Sequence, residues 1–427
     1  MSIIELTYQC VAGSINGLSA TLARILPSRR AGKLKRFFQS RRGLMERIAR
    51  DMKHETRPVY WFHASSLGEY QIARSLMKAL RNDGDKAVVL TFLSPTGIDA
   101  IGGKPSEKTC ADYIYPLPVD SRKNAQEFIR ITNPRVAVFM VSELWFNYLN
   151  ELRRRKIPTI LVSCLIRNDS RYFRRHGQFH KRMLGNFTRI IAHDLQTLGN
   201  LYRLGLGEKS ILTGDPLYDN ALSIRDTEYR DEIIENFCNG AKQVFVAGSI
   251  HYDKDLELTS ALINRHPDVK FIVVPHVVTE DGLQLIKRTI GSASVLYSEA
   301  KAGTPVADAH VLVIDFIGAL SRIYRYGTAA YVGGGFTRLL HSVVEPIVYG
   351  IPISFGPRIE RKSNPPQMIE RGIGAMVCTP DEIDLWWSKV CTSPITLKEI
   401  HDNAINFSDQ NRGGADKIVG IIKEVAK

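Results

Sequence analysis

Two glutamates that follow apolar, strand-like runs are the first candidates for acid–base chemistry in this sequence. Glu69 ends the segment His63-Ala-Ser-Ser-Leu-Gly-Glu69, where a strand is predicted to pass into a helix, and Glu143 follows the apolar run 135–140. Ligand sites of open α/β sheets lie at the carboxyl ends of strands. A partly buried carboxylate there can act as a general base, because burial raises its pKa towards neutrality. Alternatively, each glutamate is simply a first-turn helix residue favoured by the helix dipole.

A run of three glycines is the strongest candidate for binding an anion. Residues 333–335 are all glycine, follow the apolar strand-like run 329–332, and precede a helix predicted to begin near His341 or Ser342. Glycines let the backbone approach a ligand closely, and a helix N-terminus offers free N–H groups. We therefore expect a phosphate here, with Glu345 binding a ribose hydroxyl. The alternative is an ordinary tight turn between a strand and a helix.

Further polar loops follow other predicted strands. They are Ser94-Pro-Thr-Gly97, Ala247-Gly-Ser249, Val274-Pro-His276 and Asp315-Phe-Ile-Gly318. His276 is a candidate phosphate contact, although a lone histidine is more often structural. The sequence has no HExxH or P-loop motif, and no DxD-like motif that indicates a metal site. We therefore expect no metal, because a helix N-terminus can neutralise a leaving phosphate instead.

The elements that must position these residues form two series of apolar strands separated by helix-length segments. The first series is predicted at 58–63, 87–92, 135–140, 159–163 and 189–192, and the second at 243–248, 270–274, 311–314, 329–332 and 351–355. Continuous apolar runs predict parallel sheets covered on both faces. The expected fold class is α/β, with two Rossmann-like domains facing each other across a cleft (GT-B). The predicted divisions are an N-terminal segment 1–57, domains 58–220 and 242–395, a hinge at 218–241, and a helical segment 396–427.

Composition limits the class of partner. The chain has 427 residues and a net charge of +13, which favours a polyanionic partner: nucleic acid, an anionic membrane or a phosphorylated substrate. Six scattered cysteines without a CxxC pair indicate a reducing compartment rather than a zinc site or a disulfide scaffold.

The N-terminal segment resembles a membrane-surface element. Residues 3–27 are too polar for a membrane-spanning helix and lack the basic start of a signal peptide. A basic stretch with two aromatic residues follows, and its members are Arg29, Arg30, Lys33, Lys35, Arg36, Phe37, Phe38, Arg41 and Arg42. This pattern predicts a segment lying on an anionic bilayer, the alternative being a basic helix packed on the domain by its apolar side.

Several of these motifs occur together and in a specific order. They are HASSLGE at 63–69, SPTG at 94–97, SELWFN at 142–147, TGDPLYD at 213–219, AGS at 247–249, VPH at 274–276 and GGGF…HSVVEP at 333–346. In this order the chain resembles the 3-deoxy-D-manno-oct-2-ulosonic acid (Kdo) transferases of lipopolysaccharide synthesis, in the branch found in the Bacteroides group.

The resemblance implies a metal-independent, inverting GT-B enzyme without a resident cofactor, at the cytoplasmic face of the cell inner membrane. It would transfer Kdo from CMP-Kdo to a lipid A precursor (lipid IVA), with Glu69 as general base and Glu143 stabilising the transition state. The implied partners are these two substrates and the anionic membrane surface, with no nucleic acid. The expected donor-binding residues are Ser249, Pro275, His276, Ile317, Gly318, Ala319, Gly334, Gly335, Ser342, Val343, Val344 and Glu345. The expected acceptor-binding residues are Ser66, Gly68, Ser94 and Thr96.

The sequence departs from the family pattern at three places, one of them the run Pro-His-Val-Val at 275–278, where the family has further polar residues. Leu217 stands where the family usually has a basic residue that stabilises the leaving group, so either another cation, Arg167 or Arg338, substitutes for it or activity is reduced. Ser342 replaces an asparagine of the family, and serine can still cap a helix. Three alternatives remain: a GT-B transferase or epimerase that uses a uridine nucleotide sugar, a relative that has lost catalysis, and a nucleic-acid-binding protein.

Overall fold

The computed structural model describes residues 35–81, 84–174, 177–291, 294–337, 340–359 and 364–427. The chain divides into two compact units. The first comprises Met1–Leu217 together with Gly413–Lys427, and the second comprises Tyr218–Arg412. Residues 218–241, which the sequence pattern predicts as a hinge, therefore lie in the second unit. The predicted C-terminal segment is divided between the two units.

Within the described residues, each unit contains one sheet of seven parallel strands. The strands of the first sheet are β1 (Val59–Ala64), β2 (Ala87–Phe92), β3 (Tyr113–Pro116), β4 (Val136–Met140), β5 (Thr159–Cys164), β6 (Arg189–Ala192) and β7 (Ser210–Leu212). Those of the second are β8 (Val244–Ile250), β9 (Lys270–Pro275), β10 (Ser294–Leu296), β11 (Val311–Val313), β12 (Ala329–Val332), β13 (Ile353–Phe355) and β14 (Gly374–Met376). The strand orders are β3-β2-β1-β4-β5-β6-β7 and β10-β11-β9-β8-β12-β13-β14. The predicted pair of Rossmann-like α/β domains is thus confirmed.

Helices connect the strands, as parallel pairing requires. Those before the unit boundary are α1 (Leu44–Asp51), α2 (Leu67–Arg81), α3 (Pro95–Ala100), α4 (Arg122–Thr132), α5 (Phe146–Arg154), α6 (Gln178–Gly185) and α7 (Leu195–Arg203). The next is α8 (Pro216–Asp226), which begins at the boundary. The second unit continues with α9 (Glu232–Cys238), α10 (Lys254–Arg265), α11 (Glu280–Ile290), α12 (Tyr297–Lys301), α13 (Leu320–Ile323), α14 (Val344–Ile347), α15 (Asn364–Glu370), α16 (Pro380–Cys391) and α17 (Pro394–Gln410). Finally, α18 (Gly414–Val425) returns to the first unit and packs on α2.

The first sheet is buried on both faces, which explains its continuous apolar strands. Every residue of β1 is buried. On one face Trp61 packs against the rings of Phe128, Phe139 and Tyr148, with centroid distances of 4.8, 5.1 and 5.5 Å. Alternate residues of β1 enter the opposite core, which α18 completes through Ile418. Burial on both sides fixes the carboxyl ends of the central strands.

The helix predicted after the glycine run is wrong in its bounds. The helix after the glycine run begins at Val344 instead of at His341 or Ser342, and it is only four residues long. Its N-cap is Val343, so Ser342 does not cap it. The reason is Pro346, which has no N–H to donate to the carbonyl of Ser342 and so cannot close an earlier turn. A helix this short supplies little macrodipole, which weakens the predicted phosphate site at its N-terminus.

The basic stretch near the N-terminus is partly built into the first unit. The Arg41 side chain donates to the carbonyl oxygens of Leu117 and Leu93, each at 2.7 Å, and its guanidinium lies 3.5 Å from the ring centre of Phe37. Burial lowers the pKa of Arg41 to about 10. Arg41 is therefore a structural residue, and residues 1–34 of the predicted segment 1–57 lie outside the described residues. Within the described ranges, no helix is both long and apolar enough to cross a bilayer.

Candidate active site

The topology of the first sheet brings three of the predicted loops to one edge. Strand β1 lies between β2 and β4 and pairs with both in parallel. The loops that follow these three strands carry residues 66–69, residues 94–97 and Glu143. Because the carboxyl ends of parallel strands meet at the same edge, the predicted acceptor loops and both carboxylates share it.

Glu69 lies in the first turn of α2 and is half-buried. Its Oε2 accepts a hydrogen bond from the backbone N–H of Ser65 at 2.6 Å, and its own N–H donates to Ser66 Oγ at 3.3 Å. Burial, followed by the negative charge of Glu143, raises the pKa of Glu69 to about 7. A carboxyl group with this pKa can take up a proton near neutral pH, as a general base must.

The pKa of Glu143 is shifted in the opposite direction from that of Glu69, although Glu143 is also half-buried. Its Oε2 accepts a hydrogen bond from Trp145 Nε1 at 2.8 Å and lies 3.3 Å from His63 Nε2. Burial acts to raise the pKa of Glu143, but the hydrogen bond and charge of His63 and the bond from Trp145 outweigh it and lower the pKa. Glu143 is therefore held as a carboxylate.

His63 is the centre of a buried polar network beneath Glu143. Its side chain is fully buried, and its Nδ1 lies 2.9 Å from Thr91 Oγ1 on the neighbouring strand β2. The same hydroxyl accepts a hydrogen bond from Trp61 Nε1 at 2.8 Å. The indole N–H of Trp145 also lies 3.0 Å from His63 Nε2. The network fixes the imidazole, which in turn orients Glu143.

The backbone before Glu143 is strained. Val141 has a φ of 56°, in the left-handed region that a β-branched residue rarely adopts. Its N–H donates to the carbonyl of Val162 at 2.7 Å, which holds it at the end of β4. Strain of this kind costs about 1–3 kcal/mol and concentrates at functional sites. Here it turns the chain from β4 towards Glu143.

The predicted acceptor residues lie in, or just before, the first turns of α2 and α3 at this edge. Ser66 and Gly68 are exposed, immediately before Glu69. Ser94 occupies the N-cap position of α3, and its carbonyl accepts the N–H of Gly97 at 3.1 Å. The side chain of Thr96 lies outside the described part of the structure. Contact with an acceptor remains a prediction for all four residues.

The apolar side chain of Leu217 also lies in apolar surroundings in the structure. It packs against the core of the first unit, and its N–H donates to Asp215 Oδ1 at 3.0 Å. Of the two cations that could substitute for the missing basic residue, Arg167 is half-buried, and Arg338 lies outside the described residues. The structure therefore places no cation at position 217 itself.

In the second unit the glycine run touches the loops beside it. A Cβ on Gly333 would lie 2.2 Å from the carbonyl oxygen of Ser249, and one on Gly335 would lie 2.5 Å from the backbone nitrogen of Gly356. Gly334 has a φ of 86°, which favours glycine. The run is therefore needed for backbone packing, whatever else it binds.

A buried carboxylate that the sequence pattern did not reveal holds this region together. Asp255, in the first turn of α10, is buried. Its carboxylate accepts hydrogen bonds from Tyr331 Oη at 2.6 Å, the N–H of Gly334 at 2.8 Å and the N–H of His251 at 3.0 Å. Asp255 thus joins the end of β8 to the end of β12. A negatively charged residue so close to a helix start gives no distinctive sequence signal, because it is usually only a helix-terminal charge.

The other predicted donor residues follow strands of the second sheet. Ser249 lies in β8 with a φ of 54°, and Pro275 ends β9. Ile317 is 84% exposed, Gly318 has a φ of 101°, and Ala319 is buried at the N-cap of α13. These segments meet at the carboxyl edge, because β11, β9, β8 and β12 are consecutive in the sheet.

The remaining donor residues lie beside the short helix α14. Ser342 is half-buried, whereas the side chains of Val343 and Val344 are each 2% exposed. Only backbone groups of these two valines can therefore contact a ligand. Burial of its carboxyl group raises the pKa of Glu345 to about 7. A protonated Glu345 can donate a hydrogen bond as well as accept one.

Three histidines gather at the same edge of the second sheet. The ligand nitrogens of His251, His276 and His341 all lie within 4.8 Å of one another. Partial desolvation of the imidazole, followed by the charge of His251, lowers the pKa of His276. The sequence pattern singled out His276 alone. The only sequence feature that could have indicated His251 and His341 is that each also lies shortly after a predicted strand.

Comparison with known proteins gives consistent sequence similarities. Residues 38–220 match the family model described as 3-deoxy-D-manno-octulosonic-acid transferase (kdotransferase). The 3-deoxy-D-manno-octulosonic acid transferase of Haemophilus influenzae is 23% identical over 85% of this chain and 86% of its own. A bifunctional glycosyltransferase/methyltransferase of Fusobacterium nucleatum is 26% identical over 89% of this chain, which spans only 58% of that protein's length.

Solved structures match the fold at low sequence identity. A putative UDP-N-acetylglucosamine 2-epimerase from Listeria monocytogenes gives a TM-score of 0.61 at 14% identity, covering 86% of this chain and 96% of its own. The UDP-GlcNAc 2-epimerase of Neisseria meningitidis gives 0.60 at 13% identity, covering 86% and 99%. At these identities the similarity supports the GT-B fold class of the two α/β units and says nothing about activity.

Proposed function

Because residues 38–220 carry the Kdo transferase family domain, we propose that this chain transfers Kdo from CMP-Kdo to a hydroxyl group of a lipid A precursor. The observation that carries the proposal is Glu69, whose carboxyl group lies at the carboxyl edge of the first sheet with a pKa of about 7. It matches the family's general base in the HASSLGE motif at 63–69. The first unit thus supplies the group that activates an acceptor.

In the proposed reaction, Glu69 accepts the proton of the acceptor hydroxyl. The freed oxygen attacks the anomeric carbon of Kdo, and the bond from that carbon to the phosphate oxygen of CMP breaks. The products are the Kdo glycoside, CMP and a protonated Glu69, which returns its proton to solvent. Attack from the face opposite the leaving CMP inverts the anomeric configuration. The transfer step itself needs no metal.

Glu143 has a separate role in this proposal. Positive charge develops on the anomeric carbon and ring oxygen as the bond to CMP breaks, and a nearby carboxylate stabilises it. Trp145 and His63 keep Glu143 in the ionised form that this requires. Two neighbouring carboxyl groups with pKa values shifted in opposite directions can thus divide the work of base and electrostatic stabiliser.

The second unit would bind the CMP portion of the donor. Backbone groups of the glycine run and of the loops after β8, β9 and β11 are the proposed phosphate contacts, and Glu345 is the proposed ribose contact. Because α14 is a single turn and Leu217 is apolar, little positive charge for the leaving phosphate comes from those two places. The predicted family mechanism therefore needs another source of charge.

The proposed location is the cytoplasmic face of the cell inner membrane, where the lipid acceptor would lie. A net charge of +13 supports it, because the acceptor and the bilayer surface are both anionic. Arg41 does not contribute, since its guanidinium is bound to carbonyl groups of its own unit. Nucleic acid is not among the proposed partners.

The test is CMP release from CMP-Kdo by the purified chain, with and without a tetraacylated lipid A precursor and in the presence of EDTA. The proposal predicts release that depends on the lipid and survives chelation. Titrations with CMP and UDP decide between donors, since a clear preference for UDP would favour a uridine nucleotide-sugar enzyme. Binding of CMP without any release would favour a relative that has lost catalysis.

A further inference from the structure

Three histidines from separate parts of the second unit form one cluster. His251 follows β8, His276 follows β9, and His341 lies between the glycine run and α14. The Nε2 atoms of His251 and His341 lie 3.2 Å apart, and all three ligand nitrogens lie within 4.8 Å of one another. Among the residues that the structure describes, no acidic side chain or cysteine belongs to this group. The cluster is therefore a set of three imidazole ligands.

The backbone holds each histidine at a fixed place. The N–H of His251 donates to the buried Asp255 at 3.0 Å. The N–H of His276 donates to the carbonyl of Ile250 at 2.9 Å, and that of His341 donates to the carbonyl of Gly333 at 3.1 Å. The three side chains therefore project from backbone that the sheet itself positions, as a preformed ligand site requires.

The geometry fits a transition metal ion. Zinc bound to imidazole at about 2.0–2.1 Å in tetrahedral geometry places two ligand nitrogens about 3.3 Å apart. The 3.2 Å between His251 and His341 already meets this distance. His276 is exposed, so rotation of its side chain can bring its nitrogen into the same coordination sphere. Three histidines around one zinc also leave a fourth position open for a further ligand.

We propose that His251, His276 and His341 bind one divalent transition metal ion of the Zn²⁺ type. The site belongs to the second unit alone and takes no part in proton transfer at Glu69. It differs from the expectation of no metal, which rested on the absence of a recognisable motif; these three ligands are 25 or more positions apart in the sequence and form no local motif.

Through its open coordination position the bound ion can contact the phosphate of the CMP-Kdo donor. This part of the inference rests on the proposed function. An imidazole-bound divalent ion takes phosphate oxygens as further ligands. It would supply positive charge beside the glycine run, which the short helix and Leu217 do not. Zn²⁺ should then tighten CMP binding about tenfold or more. Chelation should raise the KM for CMP-Kdo and lower kcat without abolishing transfer, because the ion would also stabilise the charge of the leaving phosphate.

The experiment is calorimetric titration of the untagged, metal-free protein with Zn²⁺ alone. The proposal predicts one tight site that is lost in His251→Ala and in His341→Ala and retained in His54→Ala, an exposed histidine of the first unit. Unchanged far-UV circular dichroism, together with the conservative variants His251→Asn and His341→Asn, separates loss of a ligand from loss of folding. Co²⁺ should give the intense visible absorption of a tetrahedral site. Absence of a one-to-one site, or its persistence in both histidine variants, would overturn the proposal.

A second titration tests the link to the donor independently. CMP is added to the protein with and without one equivalent of Zn²⁺, and no acceptor or turnover is involved. Tighter binding with Zn²⁺ in the wild type but not in His341→Asn supports the link, and equal affinity overturns it. Because the Zn²⁺ titration uses no nucleotide, its result can be interpreted even if the proposed Kdo transfer is not observed.

Discussion

Glu69 and Glu143 interact so that the charge of one sets the proton affinity of the other. Burial, together with the ionised Glu143, raises the pKa of Glu69 to about 7. The pKa of Glu143 itself is lowered, because the hydrogen bond and charge of His63 and the bond from Trp145 outweigh burial. The pair therefore carries one ionised group and one group that titrates near neutrality, and not two equivalent carboxylates.

The first prediction concerns the pH dependence of transfer. A base works only when it is deprotonated, so kcat/KM should rise about tenfold per pH unit below pH 7 and level off above it. In Glu143→Gln the repelling charge is removed, the pKa of Glu69 falls, and the acid limb should move to lower pH. Exposed Glu127 provides the control, since Glu127→Gln should keep the wild-type profile. A profile that is flat between pH 5 and 8 would exclude Glu69 as the base.

The second prediction concerns Trp145, which acts through Glu143 and is a positioning residue. Trp145→Phe keeps the ring but removes the donor that lies 2.8 Å from Glu143 Oε2. A hydrogen bond to a charged group contributes about 1.5–3 kcal/mol, so kcat should fall roughly tenfold to a hundredfold. The affinity for CMP, measured by titration, should not change. A variant that loses CMP affinity but keeps kcat would show that Trp145 has another role.

The third prediction concerns the glycine run. Gly333→Ala would place a methyl group 2.2 Å from the carbonyl oxygen of Ser249, so the backbone must move. We expect a loss of about 1–3 kcal/mol in the free energy of unfolding, together with weaker CMP binding. Gly199→Ala in α7 is the matched control, because its methyl group would meet nothing within 4 Å. Urea unfolding and CMP titration of both variants measure this, and equal behaviour of the two would contradict it.

The sequence predicted the interior of both sheets better than their edges. Strands β2, β6 and β12 have the predicted bounds at both ends. The four strands that the pattern missed are β3, β7, β10 and β14, and these are the edge strands of the two sheets. Each has only three or four residues and is partly exposed, so it lacks the continuous apolar run that marks a central strand.

Residues of the candidate site could be predicted only where a reactive side chain comes directly after a predicted strand. Glu69 and Glu143 could be placed at one edge from the sequence, and the resemblance to the Kdo transferases is confirmed, whereas the assignment to a Bacteroides-like branch remains a prediction. Partners that meet only through the fold could not be predicted. His63 contacts a residue 80 positions away, and His251 contacts one 90 positions away. No local pattern records such pairs.

The fourth prediction concerns Glu345 and stability. Its folded-state pKa is raised from the ordinary 4.5 to about 7, so the folded protein binds this proton more tightly than the unfolded chain. The contribution to stability is complete below about pH 4.5 and is lost as the pH rises through 7. Glu345→Gln does not ionise, so the melting temperature of the variant should rise relative to that of the wild type as the pH increases from 4.5 to about 7.5, and the difference should then stay level. Glu69 behaves in the same sense, which is why only this difference between wild type and variant is informative. A constant difference across that range would contradict burial as the cause.

The measurement that tests the central claim most directly is mass spectrometry of a tetraacylated lipid A precursor incubated with CMP-Kdo and either the wild type or Glu69→Gln. The account predicts that the wild type adds the mass of one or more Kdo units and releases an equal amount of CMP. Glu69→Gln should bind CMP normally but transfer at least about a hundredfold more slowly, as loss of a general base requires. Transfer by the variant at the wild-type rate, or no Kdo addition by the wild type, would contradict the account.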